Sequence, residues 1–141
     1  MPILYYTTTI NAHKTISEVQ QHLAEVGAKR VGVDYDAEKN PEALLFVIEK
    51  AGQPVSYRLP CNWPGMFRAM LDDDNVPNKY CNEDQAMRTG WRIIKVWVEA
   101  QTAMIHAGLA ESQEVFLPYA IGHDGRTVWE YFAETPRKLL E

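Results

Sequence analysis

The sequence contains few cysteines, and they form no motif typical of disulfides or zinc sites. Its 141 residues contain two cysteines, Cys61 and Cys81, which lie far apart and belong to no CxxC motif. This spacing argues against both a disulfide framework and a zinc ribbon. A chain of this length buries roughly 68–70% of its unfolded surface on folding, so it needs no disulfide or metal to be stable. We therefore expect free thiols and a cytoplasmic location.

We also expect neither a leader nor a membrane span. The N-terminal stretch MPILYYTTTI has no basic segment, and threonines interrupt its apolar run. The longest apolar segment, residues 82–109, contains Arg88, Arg92, Lys95 and Glu99. Each such charge costs roughly 2.5–3.5 kcal/mol at the centre of a membrane. We therefore expect no contact with a membrane.

Motifs for metals, cofactors and covalent catalysis are missing as well. The four histidines lack the i,i+4 spacing that metal-binding helices use; they are His13, His22, His106 and His123. The run Asp72–Asp74 lacks the glycine and the final glutamate of a calcium loop. GxGxxG, GxxxxGK[ST] and GxSxG are all absent from the sequence. We therefore expect no metal, no cofactor and no catalytic residue.

Composition indicates an ordinary globular chain. Apolar residues make up 46% and charged residues 23% of the sequence. The net charge of −5 comes from 19 acidic and 14 basic residues. A negative balance disfavours unspecific binding to nucleic acid.

Residues 82–109 carry the strongest helical pattern in the chain. One face repeats at spacings of three and four, and consists of Met87, Trp91, Ile94, Val98, Thr102, Ile105 and Leu109. A second apolar face lies beside it, and consists of Gly90, Ile93, Trp97, Ala100, Met104 and Ala107. Asn82 predicts an N-terminal cap, Gln85 predicts a capping box, and Gly108 predicts the end of the helix. So wide an apolar arc predicts burial in a core or against a partner.

Shorter patterns predict the other elements. β-branched or alternating apolar residues predict five strands, at residues 3–10, 30–35, 43–48, 55–59 and 115–121. Polar caps predict helices that begin at Thr15, Asn62 and Thr127. Three consecutive strands with short links favour an antiparallel meander. We therefore predict a single α+β domain over residues 1–141, with an antiparallel sheet of three to five strands and the long, mostly buried helix packed on one face.

The thin polar line of the long helix is the candidate binding site. It contains Arg88, Arg92 and Lys95. Two arginines four residues apart repel each other unless an anion lies opposite them. Pairing with Asp or Glu of the same chain, or of a symmetry mate, is the favoured interpretation, and contact with phosphate or an acidic partner is the alternative. Core packing is likewise favoured for Trp91 and Trp97, and anchoring of an interface is the alternative.

A nuclease site is the least favoured hypothesis. A helix, three strands, a helix and a strand follow one another in restriction-endonuclease-like enzymes, whose metal sites use an acidic residue on one strand and Glu-x-Lys on the next. Asp36 and the pair Glu49-Lys50 occupy the corresponding regions. Adjacent residues of a strand point to opposite faces, however, so Glu49 and Lys50 do not reproduce the Glu-x-Lys pattern.

Two stretches resemble a group of small proteins encoded by prophages and other mobile elements of bacteria. The first is YYTTTI followed by TISEVQQHLAEVGAKRVGVDYD, and the second is QAMRTGWRIIKVWVEAQTAMIHAG followed by EVFLPY and GRT. Together they cover most of the chain. The resemblance implies an accessory protein that modulates host machinery or defence, or that assists nucleic acid metabolism. It assigns no role to individual residues.

Three functional hypotheses follow. The leading one is a non-enzymatic protein that binds a host or phage protein, alone or as a homo-oligomer. The second is a nucleic-acid-binding protein that uses Arg88, Arg92 and Lys95. The third is a metal-dependent nuclease that uses Asp36.

Overall fold

The computed structural model of the protein describes residues 2–134. It is an α+β structure that contains an antiparallel sheet, as predicted. In chain order the elements are α1 (Ala12–Glu25), β1 (Ala28–Tyr35), β2 (Pro41–Lys50), β3 (Gln53–Pro60), α2 (Trp63–Asp72), a 3-10 helix (Asn78–Tyr80), α3 (Glu83–His106), α4 (Ser112–Phe116), a second 3-10 helix (Leu117–Tyr119) and α5 (Val128–Glu134).

The chain divides into two compact units. Among the described residues, the first, or helical unit, contains residues 2–22 and 61–100, and the second, or sheet unit, contains residues 23–60 and 101–134. Two boundaries between the units lie within helices. One follows His22 in α1, and the other follows Ala100 in α3. The single domain and the packing of α3 on one face of the sheet stay predictions.

In the sheet unit, the three strands form the predicted meander in the order β1-β2-β3. The most apolar strand, β2, is central, because it is the one with apolar residues at nearly every position. Its neighbours pair with it in antiparallel register, with Gly32 opposite Leu45 and Leu45 opposite Arg58. The predictions of all three strands and of their hairpin order are confirmed.

One face of this sheet forms the core of the sheet unit. Side chains at alternate positions of β2 and β3 point to this face and are buried; they are Leu44, Phe46, Ile48, Tyr57 and Leu59. The ring of Phe46 stacks on that of Tyr57 with 5.1 Å between centroids. Phe116 of α4 packs edge-on against both rings, at 5.3 Å and 5.9 Å. Such aromatic contacts add to the stabilisation that burial provides.

The predicted strand at residues 115–121 is wrong. Residues Ser112–Phe116 form α4, and Leu117–Tyr119 form a 3-10 helix. The cause is a capping box that the sequence prediction missed, in which the Glu111 side chain accepts from the backbone of Glu114 and the Glu114 side chain accepts from the backbone of Glu111. Extended pairing here is limited to isolated bridges, between Tyr57 and Ala120 and between Ile121 and Thr127.

The C-terminal helix of the described chain is confirmed, together with its capping box. The Thr127 hydroxyl accepts from the backbone of Glu130 at 3.2 Å, and the Glu130 carboxylate accepts from the backbone of Thr127 at 3.1 Å. A turn at residues 122–125 precedes this helix, and Gly125 supplies the positive φ of 85° that the turn requires.

In the helical unit, the predicted cap of α3 is confirmed but its capping box is wrong. Asn82 Oδ1 accepts from the backbone of Gln85 at 2.8 Å. The Gln85 side chain does not complete the reciprocal bond. Its amide nitrogen donates instead to the carbonyls of Tyr6 and Thr8, at 2.7 Å and 2.9 Å.

The predicted strand at residues 3–10 is also wrong, for a related reason. Tyr5 has a positive φ of 63°, which is incompatible with a strand. The carbonyls of Tyr6 and Thr8 accept from Gln85, and that of Tyr5 accepts from the Thr89 hydroxyl at 3.3 Å. Side chains of α3 therefore satisfy backbone groups that a neighbouring strand would otherwise bind.

The first helix begins earlier than predicted. It starts at Ala12, where Asn11 Oδ1 accepts from the backbone of His13 at 2.8 Å. Thr15, the predicted cap, is fully buried inside the helix. By contrast, Asn62 caps α2 as predicted, and its side chain accepts from Gly65 at 3.0 Å.

Burial changes along α3, which has 24 residues. From Gln85 to Lys95 every residue is buried or half-buried. The first apolar face stays covered as far as Thr102, whereas the second becomes exposed from Ala100 onward, including Met104. The helix ends as predicted before Gly108, which has a positive φ of 75°.

The role of Gln85 yields a stability prediction. We expect Gln85→Glu to lower the free energy of unfolding by about 1–3 kcal/mol, because the variant removes the amide donor and leaves two carbonyls facing a carboxylate. A capping box would tolerate glutamate at this position. Urea denaturation measures the change, and Gln21→Glu, the same substitution at an exposed position of α1, is the control. Equal stabilities of the Gln85 and Gln21 variants would restore the capping-box interpretation.

Candidate interaction sites

The polar line of α3 meets acidic side chains of the same unit. Glu18 of α1 lies 3.4 Å from both the Arg92 guanidinium and the Lys95 ammonium. Lys95 also lies 3.0 Å from Glu99, one turn further along α3. Glu99 is 3.7 Å from His22. We call Glu18, His22, Arg92, Lys95 and Glu99 the ion cluster.

Two cations of the ion cluster, Arg92 and Lys95, face its two carboxylates, Glu18 and Glu99. The Arg92 and Lys95 side chains are only 18% and 17% exposed, which reduces their access to a partner. Burial raises the pKa of Glu18, but its hydrogen bond to Lys95 and the nearby charges of Lys95, Arg92 and Lys14 outweigh this and lower the pKa below its ordinary value of 4.5. The hydrogen bond from Lys95 and its charge likewise lower the pKa of Glu99. Both carboxylates are therefore ionised at neutral pH.

Arg88 has a different environment from the other two cations. Its guanidinium donates two hydrogen bonds to the Gln85 amide oxygen, at 3.1 Å and 2.7 Å. Gln85 thus links Arg88 to the carbonyls of Tyr6 and Thr8. The three predicted contact residues therefore lie on one helix, but Arg92 and Lys95 share Glu18 whereas Arg88 binds Gln85.

Of the two tryptophans of α3, Trp91 is fully buried and Trp97 is half-buried. Trp91 has no surface to offer to another molecule in this structure, which is what the core-packing interpretation requires. Gly90 lies beside it, and a Cβ atom added at Gly90 would be 3.1 Å from the Cys61 sulfur. A side chain at position 90 would therefore press against Cys61, where α3 passes close to it.

The residues of the nuclease hypothesis lie far apart. Asp36 is in the turn between β1 and β2, where its carboxylate accepts from the backbones of Glu38 and Asn40, both at 2.9 Å. Glu49 and Lys50 lie at the other end of β2. The intervening strand spans roughly 25 Å, so these residues do not share a metal.

The cysteines and the potential metal ligands of the sequence form no disulfide or metal-binding group among residues 2–134. Cys61 is buried, which raises the pKa of its thiol to about 12, and Cys81 is half-buried. Among residues 2–134, no group of three or more His, Cys, Asp or Glu side chains is arranged to hold a metal ion. Within the same range, no helix has the length and apolarity that a membrane crossing requires.

An exposed aromatic surface, which was not among the predicted sites, lies on α5. The Trp129 side chain is 56% exposed, and its ring stacks on that of Phe132 with 6.0 Å between centroids. Leu117, which is 54% exposed, lies on the 3-10 helix that contacts α5. We call Leu117, Trp129 and Phe132 the α5 surface. Its sequence signal is the i,i+3 spacing of Trp129 and Phe132 within a short capped helix.

Comparison with known proteins gave no match to a family model, to a curated protein or to a solved structure.

The ion cluster yields a prediction about pH. A carboxylate whose pKa is lowered by folding stabilises the protein above its unfolded pKa, and this contribution disappears as the pH falls through the folded pKa. We therefore expect Glu18→Gln to lower the free energy of unfolding by about 1 kcal/mol at pH 7, since Arg92 and Lys95 lose their shared carboxylate. Below pH 4.5 the difference from the wild type should shrink steadily.

Urea denaturation from pH 7 to pH 3 measures this difference. Glu38→Gln removes the same charge from an exposed turn and is the control. A Glu18→Gln deficit that stays constant over the whole pH range would show that packing, and not charge, makes Glu18 important.

Proposed function

We propose that this protein is an accessory protein of a phage or mobile element that acts by binding another protein, and that it is not an enzyme. The resemblance of two long stretches to prophage-encoded proteins supports the origin. The α5 surface carries the proposal of binding. The partner is a host or phage protein, or a second copy of this chain.

Exposure of Trp129 is the main observation in support. A tryptophan with more than half of its surface in water leaves a large apolar area uncovered, and most such area is removed from water when a protein folds. Tryptophan is also one of the residue types that are enriched among the residues that dominate binding energy at protein interfaces. Phe132 on α5 and Leu117 on the 3-10 helix that contacts α5 add further apolar surface. The α5 surface therefore has the composition of an interface centre.

The alternative, a nucleic-acid-binding protein, has less support. Its proposed contacts, Arg92 and Lys95, already face Glu18 at 3.4 Å, and Lys95 also faces Glu99 at 3.0 Å. A phosphate would have to displace these carboxylates. Arg88 remains as a single cation, whereas salt-dependent binding to a phosphate backbone normally uses several.

The proposal predicts a specific effect of Trp129. We expect Trp129→Ala to weaken association about 30-fold or more, which corresponds to the loss of about 2 kcal/mol that is typical of a dominant interface residue. Stability should change little, because the side chain is largely exposed in the free protein. Sedimentation velocity over a concentration series measures self-association, and capture from a bacterial host lysate followed by titration of the isolated partner measures binding to another protein.

Leucine variants provide a matched comparison. Leu117 on the α5 surface is 54% exposed and Leu71 on α2 is 56% exposed, so Leu117→Ala and Leu71→Ala remove equal apolar groups of equal accessibility. We expect Leu117→Ala to weaken association and Leu71→Ala to leave it unchanged. A wild-type protein that stays monomeric and captures no partner would refute the proposal, as would equal association of Trp129→Ala and the wild type.

A further inference from the structure

The second face of the sheet carries a groove that differs chemically from the α5 surface. Residues opposite each other on antiparallel strands point to the same face. Arg30, Val47 and Ser56 therefore form one row across the three strands, and Gly32, Leu45 and Arg58 form the next row. Phe46 and Tyr57, between these rows, point to the core face.

The floor of the groove is apolar, small residues flank it, and one side is closed. Leu45 and Val47 of the central strand are half-buried and form the floor. Gly32 and Ser56 leave the floor open on either side, and no heavy atom lies within 4 Å of a Cβ built at Gly32. Ile121 closes one side, because its backbone donates to the carbonyl of Ser56 at 2.8 Å. The cavity has a volume of about 320 Å³, which is within the size range of small-molecule sites.

Two arginines lie on this face, and they differ in their partners. Arg58 is engaged with Asp34 at 3.6 Å and with Glu42 at 3.5 Å. Arg30 lines the groove and is exposed, and within residues 2–134 no carboxylate lies within ion-pair distance of it. The neighbouring Lys29 has Glu49 at 3.2 Å. The groove thus combines an apolar floor with one cation that has no ion-pair partner among residues 2–134.

We infer that the sheet groove binds a small carboxylic acid with an unbranched apolar tail. Its carboxylate would contact Arg30, because guanidinium and carboxylate form paired hydrogen bonds in one plane. Its tail would lie over Val47 and Leu45 in the space left by Gly32, which removes apolar surface of both molecules from water. This inference is independent of the proposed function, since none of these residues belongs to the α5 surface.

Decanoate, below the concentration at which it forms micelles, is the probe. We expect a titration followed by ¹H–¹⁵N correlation spectra of the full chain to give saturable shifts at the amides of Gly32, Leu45, Val47 and Ser56. Decanol, which has the same tail without the charge, should bind more weakly. Shifts centred on other residues, or equal affinities for decanoate and decanol, would overturn the inference. An acidic, apolar peptide that produces these shifts when decanoate does not would overturn it as well.

Two variants separate the tail from the charge. Gly32→Val places methyl groups in the groove, and because Gly32 lies in a strand with free space around its Cβ position, we expect the variant to fold and to bind decanoate at least tenfold more weakly. Arg30→Gln should weaken binding of decanoate about two- to fivefold, as expected for a solvent-exposed ion pair, and leave decanol unaffected. Lys39→Gln removes one positive charge from the β1–β2 turn and should leave both affinities unchanged. Wild-type affinity of Gly32→Val for decanoate, or equal effects of Arg30→Gln and Lys39→Gln, would contradict the inference.

Discussion

The alternation of side chains along β2 determines how the sheet unit is organised. Leu44, Phe46 and Ile48 point to one face and are buried, whereas Leu45 and Val47 point to the other and stay half-exposed. A shift of one residue in register would exchange the two sets, so the pairing of β2 with both neighbours is tightly specified. The same alternation places the three-ring contact of Phe46, Tyr57 and Phe116 on the core face. It leaves the groove on the opposite face.

Basic residues form ion pairs in the helical unit, whereas one basic residue of the sheet unit lies exposed beside a groove. Arg92 and Lys95 share Glu18, so the most conspicuous basic residues of the sequence hold α1 and α3 together within the helical unit. Arg30 looks unremarkable in the sequence, yet it is the cation that lies beside an apolar groove. Aromatic residues show a similar contrast, since Trp91 is covered and Trp129 is exposed. The residue types that stand out in the sequence are therefore not the ones that the structure leaves exposed.

Sequence patterns located most elements but misassigned two segments and the roles of several side chains. Residues 3–10 have high β-propensity, but Gln85 and Thr89, about 80 positions later in the chain, bind their carbonyls. Residues 115–121 are also rich in strand-forming types, but the pair Glu111 and Glu114 starts a helix just before them. Propensity describes how a residue fits a local backbone, and tertiary hydrogen bonds override it by amounts comparable to the whole propensity scale.

By itself, the sequence determined the features that depend on local periodicity and capping: the α+β class, the three-strand meander, the caps at Asn82, Asn62 and Thr127, and the end of the long helix at Gly108. These follow because neighbours along the chain fix them. Three features follow from the tertiary structure and not from sequence patterns. Glu18 pairs with Arg92 and Lys95, the nuclease residues are separated by the length of β2, and Trp129 and the groove at Arg30 are open to solvent. Each of these depends on distances between residues remote in sequence, which periodicity does not encode.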